Sequence, residues 1–338
     1  MCRNTNRIII IAEAGVNHNA SMERAREMVR AAASAGADYV KFQTAVPELV
    51  ISSIAPKAEY QKETTGSEES QLDMCRAIHL PLSAYSELAD LCRQEGIGFM
   101  STPFDLVSID TLVPLGMDFW KIPSGEITNL PYLRKIARRG EKIILSTGMS
   151  TIDEVEQALR VIEENGTPRS QVWLLHCTTQ YPTPMDEVNL RAMHQLGELG
   201  TAGVGYSDHT LGIEVPVAAA ALGASVIEKH FTLDKSLPGP DHRASLDPSE
   251  LVAMVRAVRN IEMALGSGVK NVAKSERGNI VVARKSIVAS RDIKAGEMFD
   301  ETNITVKRPG GGINPMEWDS VIGKTDTPDF PYDSLIEL

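Results

Sequence analysis

Short apolar runs recur along the first two-thirds of the chain and alternate with longer amphipathic stretches. Compact runs of this kind are typical of strands that are buried on both faces of a parallel sheet. We predict eight such strands, at residues 8–12, 38–42, 97–101, 118–122, 142–146, 172–177, 202–206 and 225–228.

Helical patterns fill the intervals between these runs. The first helix is predicted to begin after Ser21, a good N-cap, and to end at Gly36. Its apolar face consists of Ala25, Met28, Val29 and Ala32. Further helices are predicted at residues 83–95, 106–115, 129–139, 152–164, 187–196, 213–222 and 248–265. A doubly wound sheet usually stops at five or six strands, so strict alternation of eight strands with eight helices favours a (β/α)8 TIM barrel.

Two segments depart from the alternation. Residues 44–82 form a long excursion after the second strand, which we expect to cover an active site. After residue 265 the chain becomes polar, and residues 284–338 consist of short strand-like pieces separated by turn signals. We therefore predict a catalytic barrel at 1–265, a linker at 266–283 and a small β-rich domain at 284–338 that is marginal alone.

Composition narrows the class of protein. The chain has 45 acidic and 34 basic residues and a net charge of −11, which argues against nucleic acid or an anionic membrane as the main partner. Its apolar runs are too short for a membrane span or a signal peptide. The four cysteines (Cys2, Cys75, Cys92, Cys177) form no C-x-x-C pair, so we expect a reduced, cytoplasmic protein without disulfides.

Polar side chains gather where the predicted strands end. In a (β/α)8 barrel this end of the strands carries the active site. The residues include Glu13, Lys41, Gln43, Thr102, Lys121, Ser124, Glu126, Ser146, Thr179, Tyr181, Ser207, His209, Glu228 and His230. Loop polarity alone would not predict lysines, histidines, glutamates and hydroxyls at a single face, so we predict an active site there.

His209 and His230 end adjacent predicted strands, so their imidazoles could bind one divalent metal ion. The alternative is a pair of hydrogen-bonded core histidines. Lys41 and Lys121 suit an anionic ligand, with nearby hydroxyl and backbone N–H groups able to cradle phosphate or carboxylate oxygens. A Schiff-base lysine is the competing hypothesis, because barrel aldolases also place a lysine at a strand end.

The strand-end motifs resemble those of the sialic acid synthase family. They are IAEAGVNH at 11–18, KFQT at 41–44, KIPSGE at 121–126, YPTP at 181–184, YSDHT at 206–210 and EKHFTLD at 228–234. The tail, with SIVA at 286–289 and VKRPG at 306–310, is similar to the C-terminal antifreeze-like (SAF) domain of that family. The resemblance extends over almost the whole chain and implies a TIM barrel followed by a SAF domain.

The resemblance also implies an activity. Members condense phosphoenolpyruvate with an N-acylated mannosamine-type sugar, giving a nine-carbon 2-keto sugar acid and phosphate, with Mn²⁺ or Mg²⁺ as cofactor. It implies that His209 and His230 hold the metal, that Glu13 and Glu126 transfer protons or activate water, and that Gln43 and Asp241 contact sugar hydroxyls. By the same resemblance Lys121, Thr102 and Ser124 hold the carboxylate, and Lys41, Ser146, Tyr181 and Ser207 hold the phosphate. Thr179 stands where some members carry an Asn phosphate ligand.

The acceptor sugar stays open at this point. KFQ at 41–43, KAEYQ at 57–61 and PDHR at 240–243 resemble members that act on 2,4-diacetamido-2,4,6-trideoxymannose. N-acetylmannosamine is an equal alternative, and a 6-phosphorylated sugar is a third, less favoured one. Arg308 matches a family arginine that contacts the N-acyl group of the sugar from the other subunit of a domain-swapped homodimer. Besides the pyruvate aldolase, a non-catalytic sugar-binding protein is the other hypothesis, suggested by the tail.

Overall fold

The computed structural model describes residues 7–66 and 69–338 and shows two compact units, which divide between Gly266 and Ser267. The first unit contains eight parallel strands. They are β1 (Ile9–Gly15), β2 (Tyr39–Thr44), β3 (Gly98–Pro103), β4 (Trp120–Ile122), β5 (Ile143–Ser146), β6 (Val172–His176), β7 (Gly203–Asp208) and β8 (Val226–His230).

These strands form a nearly closed barrel. Ladders join them in the order β3-β2-β1-β8-β7-β6-β5-β4. β3 and β4 lie side by side at the remaining seam, and within the described residues no ladder joins them. The predicted TIM-barrel fold is therefore confirmed, with every predicted strand present.

Most of the strands extend further at their C-terminal ends than predicted. β1 continues to Gly15 where residue 12 was expected, and β8 continues to His230 where residue 228 was expected. The prediction ended β1 with its apolar run and ended β8 at Glu228. Glu13 and His230, which lie beyond these ends, remain paired in the ladder and are buried, because they point into the mouth of the barrel rather than into solvent.

Among the described residues of the first unit there are eleven α-helices. They are α1 (Met22–Ala35), α2 (Pro47–Val50), α3 (Glu59–Thr65), α4 (Gln71–Ile78), α5 (Ala84–Glu95), α6 (Leu106–Leu112), α7 (Leu130–Ala137), α8 (Ile152–Glu164), α9 (Ala192–Gly197), α10 (Glu214–Ala221) and α11 (Pro248–Leu265). The predicted cap of α1 is confirmed: the Ser21 side chain accepts from the Arg24 N–H, and Gly36 ends the helix with φ 80°. Helices α2, α3 and α4 lie in the excursion after β2.

Two helix predictions are wrong at their ends. The helix expected at 187–196 begins only at Ala192, because Asn189 adopts a left-handed φ of 45° that interrupts the helical path. The helix expected at 106–115 ends at Leu112 and continues as one 3₁₀ turn. Pro114 lies in this turn and lacks the N–H that an α-helix requires.

The inside of the barrel is built in two layers. An apolar layer consists of Ile11, Met100, Phe119, Ile144, Leu175 and Val226. Side chains of a strand alternate between its faces, so residues two positions further along point in the same direction. Those residues are Glu13, Thr102, Lys121, Ser146, Cys177 and Glu228. The apolar layer thus closes the barrel beneath a polar layer at the C-terminal ends of the strands.

The second unit has its own small core. Strands β9 (Ser286–Ala289) and β10 (Ile304–Lys307) pair antiparallel, and the unit also contains α12 (Arg277–Ala283) and α13 (Trp318–Val321). The linker expected at 266–283 is therefore partly helical. The Gly310 N–H donates to Val281 O at 2.7 Å, which ties α12 to the loop after β10. None of the helices in the described ranges is long and apolar enough to cross a membrane.

Gly205 lies on β7 at the level of the apolar layer, and this position tests how closely the strands approach. An added Cβ would overlap the carbonyl oxygen of Val226 and lie 2.7 Å from Leu175 Cδ2. We expect Gly205→Ala to lower the free energy of unfolding by about 1–3 kcal/mol, measured by urea unfolding. Gly125→Ala is the control, since no described atom lies within 4 Å of its added Cβ. Equal stability of the two variants would contradict the packing argument.

Candidate active site

A cavity of about 320 Å³ opens at the C-terminal ends of the barrel strands. Most of the residues predicted for the site line it: Glu13, Lys41, Gln43, Thr102, Lys121, Ser124, Ser146, Thr179, Tyr181, Ser207, His209, His230 and Asp241. The chain therefore brings together residues from all eight strand ends around one space.

Lys41 is buried at the base of this cavity. Its Nζ lies 2.5 Å from Glu13 Oε2 and 3.7 Å from Glu228 Oε2, and it donates to Thr102 Oγ1 at 3.1 Å. Gln43 Nε2 donates to the other Glu13 oxygen at 3.2 Å. Thus Lys41 is shared between two carboxylates, and both oxygens of Glu13 face a donor.

Lys121 is buried beside it and has a different set of partners. Its Nζ donates to Ser146 Oγ at 2.7 Å and lies 3.5 Å from Glu228 Oε1, which also accepts from Ser207 Oγ at 2.9 Å. The resemblance had grouped Ser146 with Lys41 and Thr102 with Lys121. In the structure each hydroxyl is bonded to the other lysine, so both lysines are held by hydroxyl and carboxylate groups from neighbouring strands.

This arrangement shifts the pKa values of the two glutamates in opposite directions. Burial raises the pKa of Glu13 to about 7, with the charge of Glu228 adding to the effect and Lys41 opposing it. Burial would also raise the pKa of Glu228, but the charges of Lys121 and Lys41 together lower it to about 2. Glu228 is therefore a permanent anion between two lysines, whereas Glu13 can hold or release a proton near neutral pH.

A tight contact supports the Ser124 hydroxyl at the edge of the cavity. Ser124 Oγ accepts from the Gly148 N–H at 2.9 Å and lies 3.2 Å from Cys177 Sγ. A Cβ on Gly148 would lie 2.7 Å from Thr179 Cγ2 and 2.9 Å from Ser124 Oγ. Glycine is required here because any side chain would overlap Thr179 and Ser124, which line the cavity.

His209 and His230 face each other across the cavity, with ring centroids 5.6 Å apart. His209 Nδ1 donates to Thr178 O at 2.5 Å, which leaves Nε2 with its lone pair. His230 Nδ1 is buried, has no hydrogen-bond partner among the described residues and lies 4.0 Å from Asp241 Oδ2. Burial lowers the pKa of His209 to about 4 and that of His230 well below its ordinary value.

Neutral imidazoles with available lone pairs are the form that binds metal ions. The buried Nδ1 of His230, which has no hydrogen-bond partner among the described residues, thus fits the role of a metal ligand. Within the described ranges no group of three or more His, Cys, Asp or Glu residues is arranged to hold a metal. The donor set present fits an ion that takes two protein ligands and completes its coordination with water or substrate. The Tyr181 ring packs on His209, with centroids 4.1 Å apart.

The excursion after β2 supplies one wall of the cavity, as its length had suggested. Its lining residues include Val50, Ile51, Gln61, Gln71, Met74, Cys75, Ile78 and His79. Lys57 is buried behind this wall and donates to Thr65 Oγ1 and Gly66 O, both at 3.1 Å. These bonds fix the end of α3 to the segment that precedes it.

Two predicted site residues lie outside the cavity lining. The Glu126 carboxylate accepts from Asn129 Nδ2 at 2.5 Å, and burial raises its pKa. Arg308 belongs to the second unit, where its exposed guanidinium donates to Ala283 O at 3.0 Å.

Conversely, the sequence analysis placed Glu228 at a strand end but assigned it no role in the site. Its position two residues after Val226, in phase with the apolar layer, was the available signal.

Comparisons with known proteins identify the family to which the chain belongs. Residues 28–270 match the NeuB family and residues 284–330 match the SAF domain. The chain is 52% identical over 328 residues to the N,N'-diacetyllegionaminic acid synthase of Campylobacter jejuni, covering 97% of this chain and 98% of the relative. It is 45% identical to the enzyme of the same name from Legionella pneumophila, covering 93% of this chain and 89% of the relative.

A solved structure is also similar. It is the N-acetylneuraminic acid (sialic acid) synthetase of Leptospira borgpetersenii, with a TM-score of 0.70 and 32% identity over 81% of this chain and 90% of that chain. The likeness therefore extends from local motifs to the whole fold.

The raised pKa of Glu13 predicts a pH-dependent contribution to stability. Between its ordinary pKa of 4.5 and about 7, the folded carboxyl group holds more proton than the unfolded one. Glu13 therefore makes the free energy of unfolding fall as pH rises through this window, by up to about 3 kcal/mol. We expect Glu13→Gln to remove this fall, measured by urea unfolding at several pH values. The control is Glu48→Gln, because Glu48 is exposed. Above pH 5, its free energy of unfolding should change with pH in parallel with that of the wild type. A constant difference between wild type and Glu13→Gln across the window would contradict the assignment.

Proposed function

The chain belongs to the NeuB family of sialic acid synthases, and we propose on that basis that it condenses phosphoenolpyruvate with an N-acylated mannosamine-type sugar. The products would be a nine-carbon 2-keto sugar acid and phosphate. One observation carries this proposal: two buried lysines share carboxylate partners beside two neutral histidines in a cavity of about 320 Å³. A compact anion with two charged ends fits such a pair of cations.

Phosphoenolpyruvate would lie over the lysines. We assign its carboxylate to Lys121, Thr102 and Ser124, and its phosphate to Lys41, Ser146, Tyr181 and Ser207, with Thr179 nearby. In the condensation, C3 of phosphoenolpyruvate forms a bond to the aldehyde carbon of the open-chain sugar. Water then adds at C2, and the C2–O bond to phosphate breaks. The lysines neutralise the phosphate that leaves.

Glu13 is the group that we assign to proton transfer. Its pKa of about 7 lets it carry a proton at neutral pH and give it to the developing alkoxide. Glu228, with its pKa of about 2, stays ionised and holds both lysines in place. Glu126 remains a second candidate for activating water, and Gln43 and Asp241 remain candidates for contacts to sugar hydroxyls.

His209 and His230 are the residues that would hold a divalent metal ion, Mn²⁺ or Mg²⁺. Such an ion, when bound, supplies Lewis-acid polarisation of a carbonyl oxygen. The chain's own part is to keep both imidazoles neutral, which burial does, and to orient His209, which the Thr178 carbonyl does.

The acceptor we favour is 2,4-diacetamido-2,4,6-trideoxymannose. Val50, Ile51, Met74 and Ile78 give the excursion wall of the cavity an apolar part beside its polar residues Gln61, Gln71 and His79. A 6-deoxy sugar with two acetamido groups presents methyl groups to such a wall, whereas the hydroxymethyl group of N-acetylmannosamine would lose hydrogen bonds to water there. The two N,N'-diacetyllegionaminic acid synthase relatives point in the same direction.

Phosphate release by the purified protein tests this function. With phosphoenolpyruvate and Mn²⁺, we expect the diacetamido sugar to be used at least about tenfold more efficiently than N-acetylmannosamine, because about 1–3 kcal/mol separates sugars that differ by such groups. EDTA should abolish turnover, and Mn²⁺ should restore it. Borohydride with pyruvate should leave Lys121 unmodified. Trapping at Lys121, or no phosphate release with either sugar, would overturn the proposal in favour of an aldolase or a binding protein.

We also propose that the protein is a domain-swapped homodimer in which Arg308 contacts the N-acyl group of the sugar in the partner's site. Arg308→Ala should then raise the KM for the sugar far more than the KM for phosphoenolpyruvate. When the Arg308→Ala protein exchanges subunits with the Glu13→Ala protein, partial activity should return. One site of each heterodimer then contains both an intact Glu13 and an intact Arg308. Confirmed exchange without recovered activity would place Arg308 in its own subunit's site or in none.

A further inference from the structure

A buried ion pair lies behind the two histidines. Asp208 on β7 and Lys229 on β8 are in contact, and both side chains are 0% exposed. They lie one residue beyond Ser207 and Glu228, which line the cavity. Because side chains alternate along a strand, Asp208 and Lys229 point away from the cavity, towards the helices. They are therefore not substrate ligands.

The pair holds the backbone next to His209. Lys229 Nζ donates to Thr210 O at 2.5 Å, the Thr210 N–H donates to Asp208 Oδ1 at 3.0 Å, and Thr210 Oγ1 donates to Asp208 Oδ2 at 3.1 Å. The residues on both sides of His209 are thus fixed to one another. The His209 carbonyl in addition accepts from the Thr183 N–H at 2.9 Å.

The same ion pair also fixes the backbone next to the second histidine. Asp208 and Lys229 face each other in the register of the β7–β8 ladder, and His230 follows Lys229 directly. One ion pair therefore connects the backbone that presents His209 to the backbone that presents His230. The stagger between the two strand ends cannot change without separating the two charges.

The free-energy cost of burying two charges raises the question of why this ion pair is present. Removing two charges from water costs more than their attraction returns in many proteins, and apolar residues of similar size often give equal or greater stability. A pair that is retained despite this cost is best explained by the geometry that it imposes. Groups behind metal ligands commonly orient those ligands in the same way.

We propose that the Asp208–Lys229 pair is a positioning device for the metal-binding histidines, which it holds at binding separation before the ion arrives. This inference rests on the metal site of the proposed function. It makes Asp208 and Lys229 positioning residues, and it predicts that their loss weakens metal affinity directly rather than only lowering stability.

Binding of Mn²⁺, followed by the electron paramagnetic resonance signal of the free ion, tests the inference without any turnover. The test variant combines Asp208→Asn with Lys229→Met, which removes both charges and leaves neither one buried alone. We expect its Kd for Mn²⁺ to rise by about 10- to 100-fold, the usual cost of losing groups that orient metal ligands. Asp208→Asn alone can still accept from the Thr210 N–H but leaves the Lys229 charge buried without its partner. It is measured in parallel and should also raise the Kd.

The barrel offers a matched control at the opposite ends of its strands. Arg259 lies 2.5 Å from Asp38, which also accepts from the Ile10 N–H at 2.8 Å. Combining Asp38→Asn with Arg259→Met removes a partly buried pair far from the histidines. It should lower the urea midpoint yet leave the Kd for Mn²⁺ within twofold of the wild type.

Several results would count against the inference, in different ways. If both double variants keep the wild-type Kd, the Asp208–Lys229 pair is structural only. If the control weakens binding as much as the test variant, the effect is general destabilisation. If the wild type binds no Mn²⁺, or if His209→Ala binds as tightly as the wild type, the metal site of the proposed function fails and this inference fails with it. Should the double variant not fold, an unchanged Kd in Asp208→Asn would overturn the inference.

Discussion

The buried charges at the mouth of the barrel are the constraint on which the rest of the site depends. Lys41, Lys121, Glu13 and Glu228 lie where water is scarce, and an isolated charge there would cost several kcal/mol. Each charge must therefore face an opposite one, and this requires β1, β2, β4 and β8 to end at matching heights. The ladders and the apolar layer beneath fix those heights, so the packing of the barrel and the chemistry of its mouth are set by the same register.

This dependence explains why so much could be predicted from the sequence. Strands that are buried on both faces appear as apolar runs, and a barrel needs eight of them. The polar layer follows the apolar layer at a spacing of two, as Ile11 with Glu13 and Phe119 with Lys121 illustrate. The strand ends were placed too early for a related reason: burial was equated with apolarity, whereas a lysine in a charge pair can be as buried as a valine.

What could not be predicted depends on contacts between distant segments. The sequence does not indicate that Lys41 bonds to Thr102 while Lys121 bonds to Ser146, because the stagger of neighbouring strands decides this. The late start of α9 depends on the left-handed φ of Asn189, which many asparagines do not adopt. Helix α12 likewise has little apolar periodicity, and the bonds that tie it come from distant residues, Gly310 and Arg308.

The charge balance of the site also links substrate binding to proton uptake. With Glu13 ionised, the two lysines and two glutamates sum to zero, and a substrate with two or more negative charges would enter a neutral site. With Glu13 protonated, the site gains a positive charge and binds the anion better. Linkage is reciprocal, so the bound anion must raise the pKa of Glu13 further above its value of about 7. Glu228 cannot take up this proton, because two lysines hold its pKa at about 2. In the reaction that we propose, the asymmetry between the glutamates would give the site its proton donor as the anionic substrate binds.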